Sequence, residues 1–270
     1  MFMDNYNIIH ETDVENWGPF LQPIIVETIN SEFYQCNNPI YLVPITETIK
    51  ELYRPKDKSK LEKYLDLYLK ENQINLEIGS YFVKLSTVSG KDTIDTEEFT
   101  GWDSNNIAIR KLIIKSVAQL SAYLLESERI AEHIANSTYL VFREWIDFKS
   151  EEEFRCFIYQ RKLVAISQYD YIADLPVDMQ QPYLIIKTIG NFVNQVIGLI
   201  PFENTILDVA VRFSDLRVYF IEFNSFGINS DTDAGLYDWV HDDHILCPPI
   251  FNEIDIRLFS EEYIERKFQV

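Results

Sequence analysis

The segment ILDVAVRFSDLRVYFIEFN, residues 206–224, constrains the fold more than any other part of the chain. Its arms, Ile206–Arg212 and Val218–Asn224, are rich in β-branched and aromatic residues, with polar residues about Asp215 between them. Two such runs around a polar turn predict a β-hairpin. With the turn centred near Asp215, residues 208 and 222 face each other. Glu222 and Asn224, two apart, share one face of the pleat. Asp208, Glu222 and Asn224 then converge on one point of an otherwise apolar ladder. Two carboxylates that close repel unless a cation or proton lies between them. Hard oxygen donors on a rigid hairpin suit Mg²⁺. The alternative is that all three are solvated positions on the outer face of a half-exposed hairpin, a common placement for acids.

A chain of 270 residues can form one large domain or two closely joined lobes with a substantial core. Aromatic residues make up 14% and hydrophobic residues 47%, a globular composition. The net charge of −19 argues against direct nucleic-acid binding, which needs clustered Lys and Arg. A basic protein partner suits it better, and any nucleotide pocket must be a local island of cations. Cys36, Cys156 and Cys247 are widely spaced without a zinc pattern, as expected of reduced cytosolic thiols. The start, MFMDNYNIIHETDVEN, lacks the basic-then-apolar order of a signal peptide. No apolar stretch approaches the roughly 20 residues that cross a bilayer. The expectation is a soluble, cytoplasmic monomer with no membrane association.

Along the chain, Ile40–Pro44 reads as a strand and Pro55–Lys60 as a basic, solvated turn. Tyr81–Leu85 reads as a second strand, and Ser86–Thr96 as a polar loop. Helical spacing of Ile107, Leu112, Ile113, Val117, Leu120, Tyr123 and Leu124 predicts one or two helices over residues 104–136. Three strands follow (Tyr139–Phe148, Phe154–Gln160 and Leu163–Gln168), then a helix over Pro182–Leu199. Strands, helices and strands in that order point to an α+β fold and not a doubly wound sheet. The divisions fall at 1–75, a mixed α/β lobe; 76–137, a segment with the Lys84 strand and helices; and 138–270, a lobe with the acidic hairpin.

Cations sit where core residues are expected: Lys84 inside an apolar strand beside the loop that holds Lys91, Arg143 in FREW, and Arg155 two residues after Glu153. Such groups need anionic partners, and Arg suits bidentate phosphate contacts. Glu144 and Glu153 could instead serve as internal partners in a structural network. No P-loop and no GxGxxG is present. His241-Asp242-Asp243-His244 invites a metal reading but lies in a polar, Pro-punctuated region that reads as surface loop. Cys156, among apolar neighbours and without a paired His, reads as core. Ser167 and Gln168 end a strand, where they contact substrate or cap the strand.

FVKLSTVSGKD, LVFREWIDF, EEEFRCFIYQRKLVAISQYDY and ILDVAV…VYFIEFNSFG closely resemble the cell division cycle protein 123 family in order and spacing, over residues 81–92 and about 139–240. The resemblance implies an ATP-grasp-like fold of two lobes, with antiparallel sheets and flanking helices. It implies an ATP- and Mg²⁺-binding factor that helps assemble the trimeric translation initiation factor delivering initiator tRNA, through its gamma subunit. Lys84 is similar to the ATP-grasp lysine that contacts phosphates, with Lys91 in the adjoining loop. Arg143, Glu144, Trp145 and Ile146 fall on the strand implied to border adenine and ribose, and Arg155, beside Glu153, on the arginine that faces the phosphates. Asp208, Glu222 and Asn224 occupy the family's magnesium-ligand positions.

Three departures bear on these roles. Glu222 stands where the family usually has Asp, Ser89-Gly90-Lys91-Asp92 replaces Ser-Pro-Lys-Asp and implies a more flexible loop, and Asn224-Ser225-Phe226 replaces Asn-Pro-Phe. With its short length, these mark a divergent member. The alternative function is an ATP-dependent carboxylate–amine ligase, the usual ATP-grasp chemistry. A third is an acidic interaction protein that kept the fold and lost the nucleotide, against which Lys84, Arg155, Asp208 and Asn224 speak.

Overall fold

The structure, a computed structural model, describes residues 40–90, 92, 100–102, 108–110, 113–146, 148–169, 182–230, 232–251 and 253–259. They divide after Ile146 into two compact units.

The first unit is built on a three-stranded antiparallel sheet in the order β1 (Ile40–Pro44), β5 (Tyr139–Glu144), β2 (Tyr81–Leu85). One sheet face carries Val43, Val83, Leu85, Leu140 and Phe142, all in the core of this unit. Helices fill the other side of that core because their apolar residues recur at helical spacing. In α2 (Lys58–Glu71), Leu61, Leu65 and Leu69 lie four apart and are buried. Each helix start is marked by a short polar side chain that takes up an otherwise orphaned backbone N–H. Thr46 accepts from Ile49 N ahead of α1 (Glu47–Tyr53), and Asp57 from Lys60 N ahead of α2. Ser116 accepts from Gln119 N ahead of α3 (Val117–Glu126), and Ser127 from Ile130 N ahead of α4 (Glu128–His133).

The expected helix from residue 104 is corrected here. Residues 100–102 and 108–110 pair as the short antiparallel strands β3 (Thr100–Trp102) and β4 (Ala108–Arg110), Ile114 bridges to Tyr81, and helix begins only at Val117. Short apolar runs satisfy strand and helix patterns alike, and the Ser116 cap decides where the helix starts.

The second unit is a five-stranded sheet in the order β10 (Asp255–Arg257), β7 (Lys162–Gln168), β6 (Glu153–Tyr159), β8 (Thr205–Arg212), β9 (Arg217–Asn224). β10 runs parallel to β7, and the other neighbours are antiparallel. β8 is buried from Thr205 to Val211, which fits its near-continuous apolar sequence. Helix α5 (Pro182–Val196) buries Ile185, Ile189, Phe192, Val193 and Val196, one stripe at helical spacing. A short helix, α6 (Asp243–Leu246), contributes Leu246 to a core with Phe157, Val164, Ala165, Ile206, Ala234 and Tyr237. The α+β expectation holds.

Candidate functional site

The acidic hairpin forms as the sequence predicts, and Asp208 lies directly opposite Glu222. β6 runs on the other side of β8, and there Asp208 faces Arg155, which in turn faces Ser167 of β7. Ser167, Arg155, Asp208 and Glu222 therefore form one rung across four strands. Directly opposed residues share a face of a sheet, so a cation and two acids are fixed side by side by register alone.

Contacts within the rung are close. Arg155 Nε donates to Asp208 Oδ1 at 3.0 Å and Arg155 Nη2 to Asp208 Oδ2 at 2.9 Å, a bidentate pair. Asn224 Nδ2 donates to Asp208 Oδ2 at 2.8 Å. The Arg155 and Asp208 side chains are only 7% and 1% exposed, so water screens this pair little. Arg155 Nη1 also donates to the Asp233 carbonyl, and its guanidinium lies 4.8 Å from the Tyr169 ring centroid. Burial alone would lower the Arg155 pKa, but the charge and hydrogen bonds of Asp208, with smaller contributions from Tyr169 and Glu222, hold it above its ordinary value. Sequence reading offered Glu144 or Glu153 as internal partners for the buried cations and missed Asp208 as Arg155's partner. It also missed the Asp233 carbonyl and Tyr169, since a backbone acceptor leaves no signal in a sequence.

Among the described residues no group of three or more His, Cys, Asp and Glu is placed to hold a metal ion. Asp208 and Glu222 are two carboxylates, and Asn224 adds an amide, so the three fit a hard divalent cation that completes its shell with water or phosphate oxygens.

Lys84 and Arg143 belong to the first unit. Lys84 faces Val141 and Phe82 faces Arg143, so both cations lie on one face of that sheet, opposite the core face. Glu144 pairs with Tyr81 at the exposed end of β5 and belongs to the other face. Trp145 continues the ladder through its backbone N–H to the Ser80 carbonyl at 2.7 Å. Its indole Nε1 is buried without a hydrogen-bond partner among the described residues. Ile146 is half-buried, Glu153 opens β6 opposite Ala210, and Lys91 lies outside the described residues.

Where it is described, the loop after β2 is tied to the helices of the first unit. Gly90 N donates to the Tyr123 hydroxyl at 2.7 Å. Ser127 Oγ donates to Asp92 Oδ1 at 2.7 Å, and Arg129 N to Asp92 Oδ2 at 3.2 Å. Burial would raise the Asp92 pKa, but these donors hold it below the ordinary carboxylate value.

Ser167 and Gln168 act as structural posts. Ser167 Oγ accepts from Leu236 N at 2.9 Å, and Gln168 Oε1 accepts from Phe259 N at 3.0 Å. Cys156 is fully buried, and burial, then the Asp208 charge, pushes its thiol pKa up, as befits a packing residue. In His241-Asp242-Asp243-His244, Asp242 forms a bidentate pair with Arg257 at 2.7 and 2.6 Å, while His241 lies 2.9 Å from Asp238 at the surface. The segment is a surface turn leading into α6, tied down by the Asp242–Arg257 ion pair.

A family model described as D123 matches residues 104–268, more than half of the chain. The chain belongs to the D123 family. The rung and Asn224 lie within the matched segment; the Lys84 strand precedes it. Curated relatives agree with the resemblance drawn from the motifs. A CDC123-like protein of Acanthamoeba polyphaga mimivirus is 28% identical over 169 residues, covering 60% of this chain and 50% of that protein. The translation initiation factor eIF2 assembly protein of Danio rerio is 36% identical over 101 residues, covering 37% of this chain and 28% of that protein. The matches thus span half or less of these relatives' length. The solved structure of Cdc123 from Schizosaccharomyces pombe superposes with a TM-score of 0.69, covering 97% of this chain and 100% of that one at 17% identity. The D123 chain therefore has the Cdc123 fold. Among its described residues no helix is long and apolar enough to cross a membrane.

Proposed function

We propose that this chain is an ATP- and Mg²⁺-binding assembly factor for the initiation factor eIF2, acting on its gamma subunit in the cytoplasm as a monomer. One observation carries the nucleotide part: the Arg155–Asp208–Glu222 rung, buried at Arg155 and Asp208 and half-buried at Glu222, with Asn224 beside it, inside the family segment. A guanidinium next to two carboxylates and an amide is the combination that a metal–phosphate complex needs, since the cation meets phosphate oxygens and the oxygen donors meet metal. Asp208, Glu222 and Asn224 are the proposed metal ligands. Arg155, with Glu153 nearby, is the proposed γ-phosphate contact. Bound Mg²⁺ would neutralise part of the phosphate charge.

Lys84 and Arg143, on one sheet face, are the proposed phosphate- and ribose-side cations, with Lys91 from the loop. Glu144, Trp145 and Ile146 are proposed to border adenine, and the buried indole N–H of Trp145, without a partner among the described residues, supports this, because such a donor favours a ligand acceptor. The eIF2 part rests on the names of the relatives, and the net charge of −19 suits a basic protein surface.

Calorimetric titration with ATP, with and without Mg²⁺, tests the site. Magnesium-dependent binding that is lost in Asp208→Ala is expected, and no binding by the unaltered protein would refute it. Copurification with the isolated gamma subunit, without ADP release, tests the partner. ADP formed in step with a carboxylate substrate would favour a ligase instead.

A further inference from the structure

A metal arriving at Asp208 meets a carboxylate whose two oxygens are already engaged. Both its oxygens accept from the Arg155 fork, and Oδ2 also accepts from Asn224. These same atoms are the ones a metal would take. Arg155, for its part, has holds independent of Asp208: the Asp233 carbonyl and the Tyr169 ring. It could leave Asp208 and still remain anchored. The second acid, Glu222, sits across the ladder from Asp208 and adds its charge to the field at Arg155.

Resting on the nucleotide reading above, we propose that Arg155 is the resident counter-ion of Asp208 and exchanges there with the divalent metal. The metal takes Asp208 only when an anionic phosphate draws the guanidinium away. In the resting protein the guanidinium neutralises one of the two acids and repels an incoming dication. When phosphate engages the guanidinium, Asp208 is released, and with Glu222 and Asn224 it presents oxygen donors to the metal. Metal and phosphate therefore bind interdependently, and linkage makes the dependence reciprocal. The pair acts as a latch that keeps a lone metal ion out.

The test uses Mn²⁺ alone as probe, with binding read by electron paramagnetic resonance in the absence of nucleotide. Weak binding is expected for the unaltered protein. Arg155→Gln should bind Mn²⁺ roughly tenfold more tightly, within the 5–150-fold range of typical coupled sites. Adding Asp208→Asn to that variant should abolish the gain. Arg155→Lys, which keeps the charge but loses the fork, should show a smaller gain, and it decides the matter if Arg155→Gln does not fold. Mn²⁺ should also raise the melting temperature of either variant more than that of the unaltered protein. Unchanged or weaker Mn²⁺ binding in the folded variants would overturn the exchange. If the unaltered protein still binds ATP with Mg²⁺ in that case, the nucleotide reading survives. Failure of that binding sinks the nucleotide reading itself.

Discussion

Proline at position 90 should destabilise this protein. Gly90 N donates to the Tyr123 hydroxyl at 2.7 Å, and Tyr123 is 1% exposed. Proline has no N–H, so Gly90→Pro deletes that bond inside the core, a loss of about 1–3 kcal/mol. A Cβ at position 90 would also lie 2.9 Å from both Ser127 Oγ and Tyr123 Cε2. Tyr123 is among the largest fully buried side chains, and crowding it costs about 1–3 kcal/mol. Against these stands a gain of about 0.4–1 kcal/mol from restricting the unfolded chain. The net loss is about 1–6 kcal/mol, or roughly 2–4 °C of melting temperature per kcal/mol in a chain of this size. Far-UV circular dichroism gives the melt, and hydrogen exchange of the α3 amides localises the effect to the first unit. Gly90→Ala keeps the N–H and should show only the steric part. A Gly90→Pro variant that melts at or above the unaltered protein would refute the reasoning.

Three further outcomes are expected. Arg155→Met and Asp208→Leu should each cost about 3–5 kcal/mol in urea unfolding, because each strands a buried charge, while the double variant should cost much less than the sum; additivity would mean that the pair is not coupled. Gly235→Ala should cost at least about 1–2 kcal/mol, since Gly235 has φ +62° and a Cβ would fall 2.5 Å from Ser167 Oγ, which holds Leu236 N; a melt like the unaltered protein's would show that the turn yields. The Asp92 pKa is depressed, so its stabilising contribution is present above the ordinary carboxylate pKa and is lost as pH falls through the lower folded value. Asp92→Asn should remove that step from the acid unfolding curve, and an unchanged acid limb would count against the Asp92 anchor.

Legibility in the sequence followed the range of the interaction. β1 and β2 were readable to the residue, because each is a short run rich in aromatic, β-branched and aliphatic residues, and the α5 stripe was readable because five buried residues keep one helical spacing. Residues 104–116 were not, since a short apolar run fits either period until a cap is recognised. The partner of Arg155 was invisible for another reason. Arg155 and Asp208 are 53 residues apart, and their contact depends on β6 pairing with β8, which no local pattern specifies. The contact of Gly90 N with Tyr123 was invisible for the same reason, as Tyr123 lies 33 residues on.

The Asp208–Glu222 pairing depends on a local irregularity. The hairpin closes with Arg212 opposite Arg217, and a regular ladder counted back from that pair would set Asp208 against Ile221. A bulge intervenes: Val209 pairs with Phe220 while Asp208 pairs with Glu222, and Ile221 is the extra residue. Placing the turn on Asp215 reaches the right partner only because a displaced turn and an ignored bulge cancel. An apolar partner for Asp208 would leave the rung with a single acid, already matched by Arg155. The bulge brings a second carboxylate to the rung and leaves it one negative charge in excess, the condition under which a dication can compete for Asp208.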